Sequence, residues 1–158
     1  MKNLKIKNLS NKDIKGVNKL YNKYISETAF TFDIKEKSYE EKKEWANSFT
    51  KDSPYQCLVA YDGNNLIGFV SSRPFREKEA YFSSVETSVY IDEDYIGNGY
   101  GKILLDELFK RIDRFGVLRA YAFITKPNEM SEKLHNSMGF NHIGTLNKVG
   151  KKFEKYWD

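Results

Sequence analysis

The chain has one cysteine, Cys57, and two histidines, His135 and His142. A lone thiol cannot close an intrachain disulfide, and one thiol with two imidazoles is too small a set for the four-ligand clusters that hold zinc. No metal is expected, and Cys57 is assigned to core packing. No stretch approaches the roughly 20 consecutive apolar residues of a membrane-spanning helix, so no membrane partner is expected. The first ten residues alternate Lys with Leu and Ile and lack the apolar segment of a secretory signal, which implies a cytoplasmic protein. Net charge is +4, yet the lysines are scattered among Glu and Asp, with no basic block interleaved with aromatics. That distribution argues against nucleic acid as a partner and suits an anionic cofactor at least as well. At 158 residues, with 40% hydrophobic and 30% charged residues, the composition is that of one globular domain over residues 1–158.

Periodicity supplies the elements. Residues 4–7 alternate as a short strand would, and Ser10 reads as the N-cap of a helix with Ile14, Val17, Leu20, Tyr21, Tyr24 and Ile25 on one stripe. Ser38 followed by Glu41 reads as a capping box, opening a second helix whose buried side includes Trp45 and Phe49. The aromatic stretch Phe30-Thr31-Phe32 lies between them. Residues 56–61 and 66–71 flank Asp62-Gly63-Asn64-Asn65 and predict an antiparallel hairpin. Residues 80–91 predict a longer strand with Val85, Thr87, Val89 and Ile91 on one face and Glu86, Ser88 and Tyr90 on the other, so one carboxylate projects from mid-strand. A glycine turn then leads into a helix marked by Leu104, Leu108 and Ile112 and ending near Gly116. Residues 118–125 predict a strand, Pro127-Asn128 a turn, 131–138 a short helix and 140–148 a further strand. The order is mixed α/β, with antiparallel strands early and a strand-helix-strand unit later.

Gly97, Gly99 and Gly101 alternate just before a helix start. Uncovered amides and the positive end of the helix dipole make such a turn an anion site, although glycine is also what a tight turn needs for its dihedrals alone. A Walker loop is excluded, because Gly101-Lys102 is followed by Ile103 and not by a hydroxyl residue. A dinucleotide fingerprint fits poorly, since the motif comes late and follows antiparallel strands.

The segment Ile96-Gly97-Asn98-Gly99-Tyr100-Gly101 resembles the GNAT acetyltransferase signature Gln/Arg-x-x-Gly-x-Gly/Ala, whose amides bind the coenzyme A pyrophosphate. Ile96 replaces the usual Gln or Arg, which weakens one contact and leaves a cradle made of backbone. The chain is also similar to the phosphinothricin and methionine sulfoximine acetyltransferase branch over most of its length. The likeness runs in order through Asn22 to Ile25, Thr28 and Phe32, Arg73-Pro74-Phe75, Val85 to Tyr90, Asn128, Leu134-His135, Gly139-Phe140 and Val149 to Phe153.

The resemblance implies a GNAT α/β fold, with a mixed, mostly antiparallel, splayed central sheet and helices on both faces. It implies acetyl-CoA as cosubstrate and direct transfer of its acetyl group to the amine of a small amino-acid-like molecule. Val89, Tyr90 and Ile91 would lend backbone groups to the acetyl and pantetheine portion. Gly97, Asn98, Gly99, Tyr100, Gly101 and Lys102 would hold the pyrophosphate, and Asn128 would contact the cofactor. Arg73, Pro74, Phe75, Thr87 and Ser88 match positions lining the acceptor site, and Glu86 matches the proposed catalytic carboxylate. His135 stands where many relatives place a tyrosine near the leaving thiol, leaving open whether it donates a proton or only packs there. A homodimer is expected, as is common in that branch. The branch has a last strand after the aspartate matching Asp158, so the chain is expected to be shortened there or its sheet completed otherwise; Trp157 replaces a histidine found in some members.

Chemistry agrees with the role of Glu86, because an amine attacks a thioester only as the free base and a carboxylate can take its proton. Periodicity alone favours a solvated or salt-bridged strand carboxylate, and it is the resemblance to the family that reverses this. Cys57 lies in an apolar run with no adjacent histidine or basic residue, so a covalent acyl intermediate is not expected. Two alternatives stand beside small-molecule transfer: acetylation of a peptide or protein N-terminus, which needs an open groove, and a coenzyme A-binding module without turnover.

Overall fold

The computed structural model describes residues 4–158. Strand β1 (Leu4–Asn8) leads to helices α1 (Ile14–Glu27) and α2 (Tyr39–Asn47). A hairpin of β2 (Cys57–Asp62) and β3 (Asn65–Pro74) is followed by β4 (Ser84–Ile91), α3 (Tyr100–Ile112), β5 (Arg119–Tyr121) and α4 (Glu129–Ser137). A small hairpin, β6 (Gly150–Lys152) and β7 (Lys155–Trp157), comes last. The main sheet has the order β1-β2-β3-β4-β5, antiparallel except for the parallel β4–β5 pair.

Strand alternation sends side chains to two cores. Cys57, Val59 and Phe69 pack with Val17 and Leu20 of α1, and Trp45 of α2 joins them. Leu58, Ala60, Val70 and Val85 pack with Leu104, Leu105, Leu108 and Ile112 of α3 on the opposite face. The expected two-faced, mostly antiparallel α/β sheet is therefore what forms. In β4, Val85 belongs to the α3 core and Tyr90 to the α1/α2 core, which fixes Glu86 and Ser88 on the α1/α2 side by the period of two.

Several local expectations need correction. Ser10 does not cap α1; its hydroxyl and amide both donate to the Asp13 carboxylate, and the helix begins at Ile14. Asp13 also accepts from Lys7 Nζ at 2.7 Å and Tyr61 Oη at 2.9 Å, so it is occupied tying β1 and β2 to the helix start. The capping box at Ser38 and Glu41 is present, but Phe49 lies beyond the end of α2, and the buried residue of that helix is Lys42. The run over 80–91 begins as a single 3-10 turn, Glu79–Tyr81, before the strand starts at Ser84.

The C-terminal third departs most. Of residues 118–125 only Arg119–Tyr121 pair with β4, and 140–148 are irregular. Asn141, Gly144 and Asn147 are poor strand formers, and Ile143 is 82% exposed, so no buried face exists there to enforce alternation. The segment is anchored instead by its ends. Lys152 Nζ donates to the Thr31 carbonyl at 2.8 Å, and Asp158 accepts from the amides of Lys126 and Lys148. Gly150 sits so close to the Phe32 ring that a Cβ there would overlap it.

Candidate active site

On β4 the pairing is unequal on its two sides. All of Val85–Ile91 is in register with β3, whereas β5 matches only Ser84, Val85 and Glu86 before its chain turns away. The outward backbone groups of Val89 and Ile91 thus face no strand, and a wedge opens after Glu86. Backbone that is normally obliged to pair is there available to a ligand. Of the three residues expected to lend it, Ile91 already accepts the Tyr24 hydroxyl at 2.7 Å through its carbonyl. Tyr90 is turned the other way: it is in register with Phe69 of β3, its backbone points to that strand as the Asp92 amide does, and its ring is stacked on Phe69 and meets Tyr21 and Tyr24 edge-on.

The glycine turn lies beyond the far end of β4. Gly97 and Gly99 have φ of +83° and +81°, the left-handed region, and Gly99 is the N-cap of α3. The first bond of the helix runs from the Ile103 amide to the Gly99 carbonyl, so the amides of Tyr100, Gly101 and Lys102 have no intrahelical acceptor. Side-chain-free backbone around Gly97 and Gly99 leaves them open to an anion, with the helix dipole adding to the attraction. These residues fit a pyrophosphate. Asn128 caps α4, its side-chain oxygen accepting from the Ser131 amide at 3.2 Å, which leaves its Nδ2 for any further contact.

A cavity of about 1080 Å³ lies on the α1/α2 side of the sheet at the wedge. Arg73, Glu86, Ser88 and Tyr90 line it, joined by Lys42, Tyr121 and His135. Arg73 stands directly across from Glu86 in the β3–β4 register, yet neither is held in an ion pair among the described residues. Burial raises the Glu86 pKa above the usual carboxylate value against the opposing pull of Arg76 and Arg73, which makes it a better proton acceptor when ionised.

Three expected acceptor residues are not among the cavity walls. Thr87 faces the α3 side, where it is buried and donates to the Tyr121 carbonyl at 3.3 Å. Pro74 is exposed at the end of β3, and Phe75 stacks on Tyr121 with ring centres 4.2 Å apart, so it shapes the wall from behind. The cavity does not extend to Gly97–Lys102.

His135 reaches the cavity through α4. Its Nδ1 lies 2.8 Å from the Ser131 carbonyl, an acceptor, so Nδ1 carries the proton and Nε2 is bare in the neutral ring. Burial lowers its pKa, which disfavours the imidazolium that Nε2 would need in order to donate. Cys57 is inert for the same kind of reason: burial pushes its thiol far above neutrality and removes the thiolate a nucleophile requires.

Lys42 is the residue that pattern reading missed. It is only 4% exposed, with its ammonium 3.7 Å from the Tyr21 ring centre and 4.4 Å from that of Trp45. Burial brings its pKa down to about 8. The available signal was helix phase: Lys42 lies three residues before Trp45 and so on the same face.

The model of the Acetyltransferase (GNAT) family matches residues 17–140. The phosphinothricin N-acetyltransferase of Streptomyces coelicolor is 43% identical over 148 residues, covering 92% of this chain and 86% of its own. The L-methionine sulfoximine/L-methionine sulfone acetyltransferase of Pseudomonas paraeruginosa is 29% identical, covering 92% and 85%. Among solved structures, a phosphinothricin acetyltransferase from Sinorhizobium meliloti in complex with acetyl-CoA superposes with a TM-score of 0.91 at 26% identity, over 97% of this chain and 83% of that one.

Proposed function

Because the chain belongs to the GNAT acetyltransferase family, we propose that it transfers the acetyl group of acetyl-CoA to the α-amino group of a small amino-acid-like acceptor of the phosphinothricin or methionine sulfoximine type. One observation carries the reading: Glu86, an ionisable group with a burial-raised pKa, stands at the point where β4 and β5 part, inside a cavity that Arg73 enters from the neighbouring strand. A carboxylate at the mouth of unpaired backbone is an arrangement that can take a proton from an amine beside an acyl donor.

In this reading the amides of Tyr100 to Lys102 and the open glycine turn hold the pyrophosphate, and the outward backbone of Val89 and the Ile91 amide align the pantetheine. Asn128 adds a contact through its Nδ2. Arg73 offers a two-pronged site to the acceptor's α-carboxylate. Glu86 accepts the amine's proton, directly or through water, as the nitrogen bonds to the acetyl carbon and the carbon–sulfur bond breaks. Ser88 lies next along that face, Phe75 backs the wall through its stack on Tyr121, and Thr87 ties β4 to the Tyr121 carbonyl. His135, holding its proton toward Ser131, is a wall residue of the thiol end in this account. The protein works as a homodimer in the cytoplasm, a reducing setting that fits its free, buried cysteine.

The test is coenzyme A release against pH for wild type and Glu86→Gln, over a panel of amino acids, their sulfone and phosphinate analogues, and short peptides. Glu86→Gln should lose about 10²- to 10⁴-fold in turnover near neutral pH and recover part of it as rising pH deprotonates the amine. Equal rates across the range would remove Glu86 from the chemistry. Turnover confined to the peptides would overturn the small-acceptor reading.

A further inference from the structure

Lys42 is a buried cation without a counter-charge. Two aromatic faces, Tyr21 and Trp45, box its ammonium, and it takes part in no ion pair among the described residues. The acid nearest in effect, Asp33, is already engaged, accepting the Tyr21 hydroxyl at 2.8 Å and pairing with Lys37 at 3.2 Å. Cation–π contact offsets part of the burial cost and leaves the ammonium hydrogens without an oxygen acceptor. The same ammonium borders the cavity that holds Glu86 and Arg73.

Its place across the sheet defines what it can reach. Lys42 sits over the stretch of sheet around Cys57 and Phe69, because the Tyr21 and Trp45 rings that box it pack there. Cys57 is in register with Ser71 of β3, and Ser71 with Ser88 of β4, one alternation from Glu86. Neighbouring strands are about 4.8 Å apart, so Lys42 stands roughly 10 Å from the Glu86 strand, with Arg73 between them. An α-amino acid has its carboxylate one carbon from its amine and its side-chain end several atoms away. With the amine at Glu86, the near cation, Arg73, meets the α-carboxylate, and the far cation meets the side-chain terminus.

Resting on the acceptor reading above, we propose that Lys42 is a specificity-determining residue that binds an oxyanion at the end of the acceptor's side chain, so that the preferred acceptor is an α-amino acid with an anionic terminus about as long as a glutamate side chain. The aromatic box gives this subsite its selectivity. It holds the cation between two rings, which cover part of its surface, while Lys42 still borders the cavity from which a counter-ion would come.

Phosphinothricin and methionine sulfone make the test sharp, because both end in a methyl group on a tetrahedral atom bearing two oxygens, and only the phosphinate is charged at neutral pH. Wild type should favour phosphinothricin in kcat/KM by about tenfold or more, the scale of one hydrogen bond to a charged group. In Lys42→Met that ratio should fall to within about twofold of unity, through KM for phosphinothricin and not through kcat, and Lys42→Arg should restore part of it. Thermal melting and acetyl-CoA affinity report whether each variant is folded. A folded Lys42→Met with the wild-type ratio would overturn the inference. So would wild type that acetylates both acceptors equally or prefers the sulfone, a result that needs no variant. Wild type that acetylates no amino acid of any kind would instead overturn the acceptor reading, and this inference with it.

Discussion

Glu86 is placed where function and stability pull apart. Its pKa is raised by burial, so the folded state disfavours the ionised form that proton acceptance requires. A raised carboxylate pKa adds stability that is fully present below the unfolded value near 4.5 and is lost as pH rises through the folded value. At pH 7 the charge is therefore a liability, and Glu86→Gln should melt higher than wild type while losing turnover. The gap should close as the buffer is taken below about pH 4.5, where both side chains are neutral; a melting profile against pH checks this, and a lower melting point at pH 7 would contradict it. Glu86 was legible in the sequence through the resemblance of Val85 to Tyr90 to the acetyltransferase branch, because alternation alone only places a carboxylate mid-strand on the face opposite the apolar one. Lys42 was legible only as far as helix phase puts it on the face of Trp45; the rings of Tyr21 and Trp45, brought together from two helices, are what make it a buried cation.

The joints between elements carry two further tests. Asp13 ties Lys7 of β1, Tyr61 of β2 and the start of α1. Burial alone would raise its pKa, but the bonds from Lys7, Ser10 and Tyr61 outweigh that and hold the carboxyl below its usual value. The stability this adds is present above the unfolded pKa and is lost as pH falls through the folded one. Asp13→Asn should cost about 1–3 kcal/mol at pH 7, measured by denaturant unfolding, and much less near pH 2. At the glycine turn, Gly99 has φ of +81° at the entry to α3, where an L residue costs roughly 1–2 kcal/mol and a β-branched one more. Gly99→Val should abolish acetyl-CoA binding by calorimetry, whereas Gly99→Asn, whose side chain tolerates that region, should keep the fold and weaken binding less. The hairpin, the capping box of α2 and the strand-turn-helix from β4 to α3 were all readable, since each has a local chemical signature. Residues 140–148 misled the pattern because Ile143 and Leu146 are apolar yet exposed, and no local rule says which apolar residues a fold leaves outside.

That exposed apolar surface bears on the state of the molecule in solution. Phe123, Ile143, Leu146, Val149, Phe153 and Tyr156 are each more than half exposed, and all belong to the C-terminal third. A monomer of 18.5 kDa has little reason to leave so many large apolar side chains in water within one stretch of chain, and an interface between copies is a common use for such surface. Four of the six, Phe123, Ile143, Leu146 and Val149, also border the cavity, so a partner copy seated there would narrow its mouth and strengthen the electrostatics around Glu86 by excluding water. The expected result is a mass of about twice 18.5 kDa by light scattering, salt-insensitive because the contact is apolar. Ile143→Asp should shift the equilibrium to monomer without lowering the melting point of the isolated fold, since Ile143 is 82% exposed and packs on nothing that would be lost. If association is what closes the cavity, the same variant should raise KM for the acceptor while leaving acetyl-CoA affinity unchanged. A wild-type monomer at all accessible concentrations, with Ile143→Asp indistinguishable from it in both KM values, would mean that the apolar stretch serves the bound ligands of a single chain.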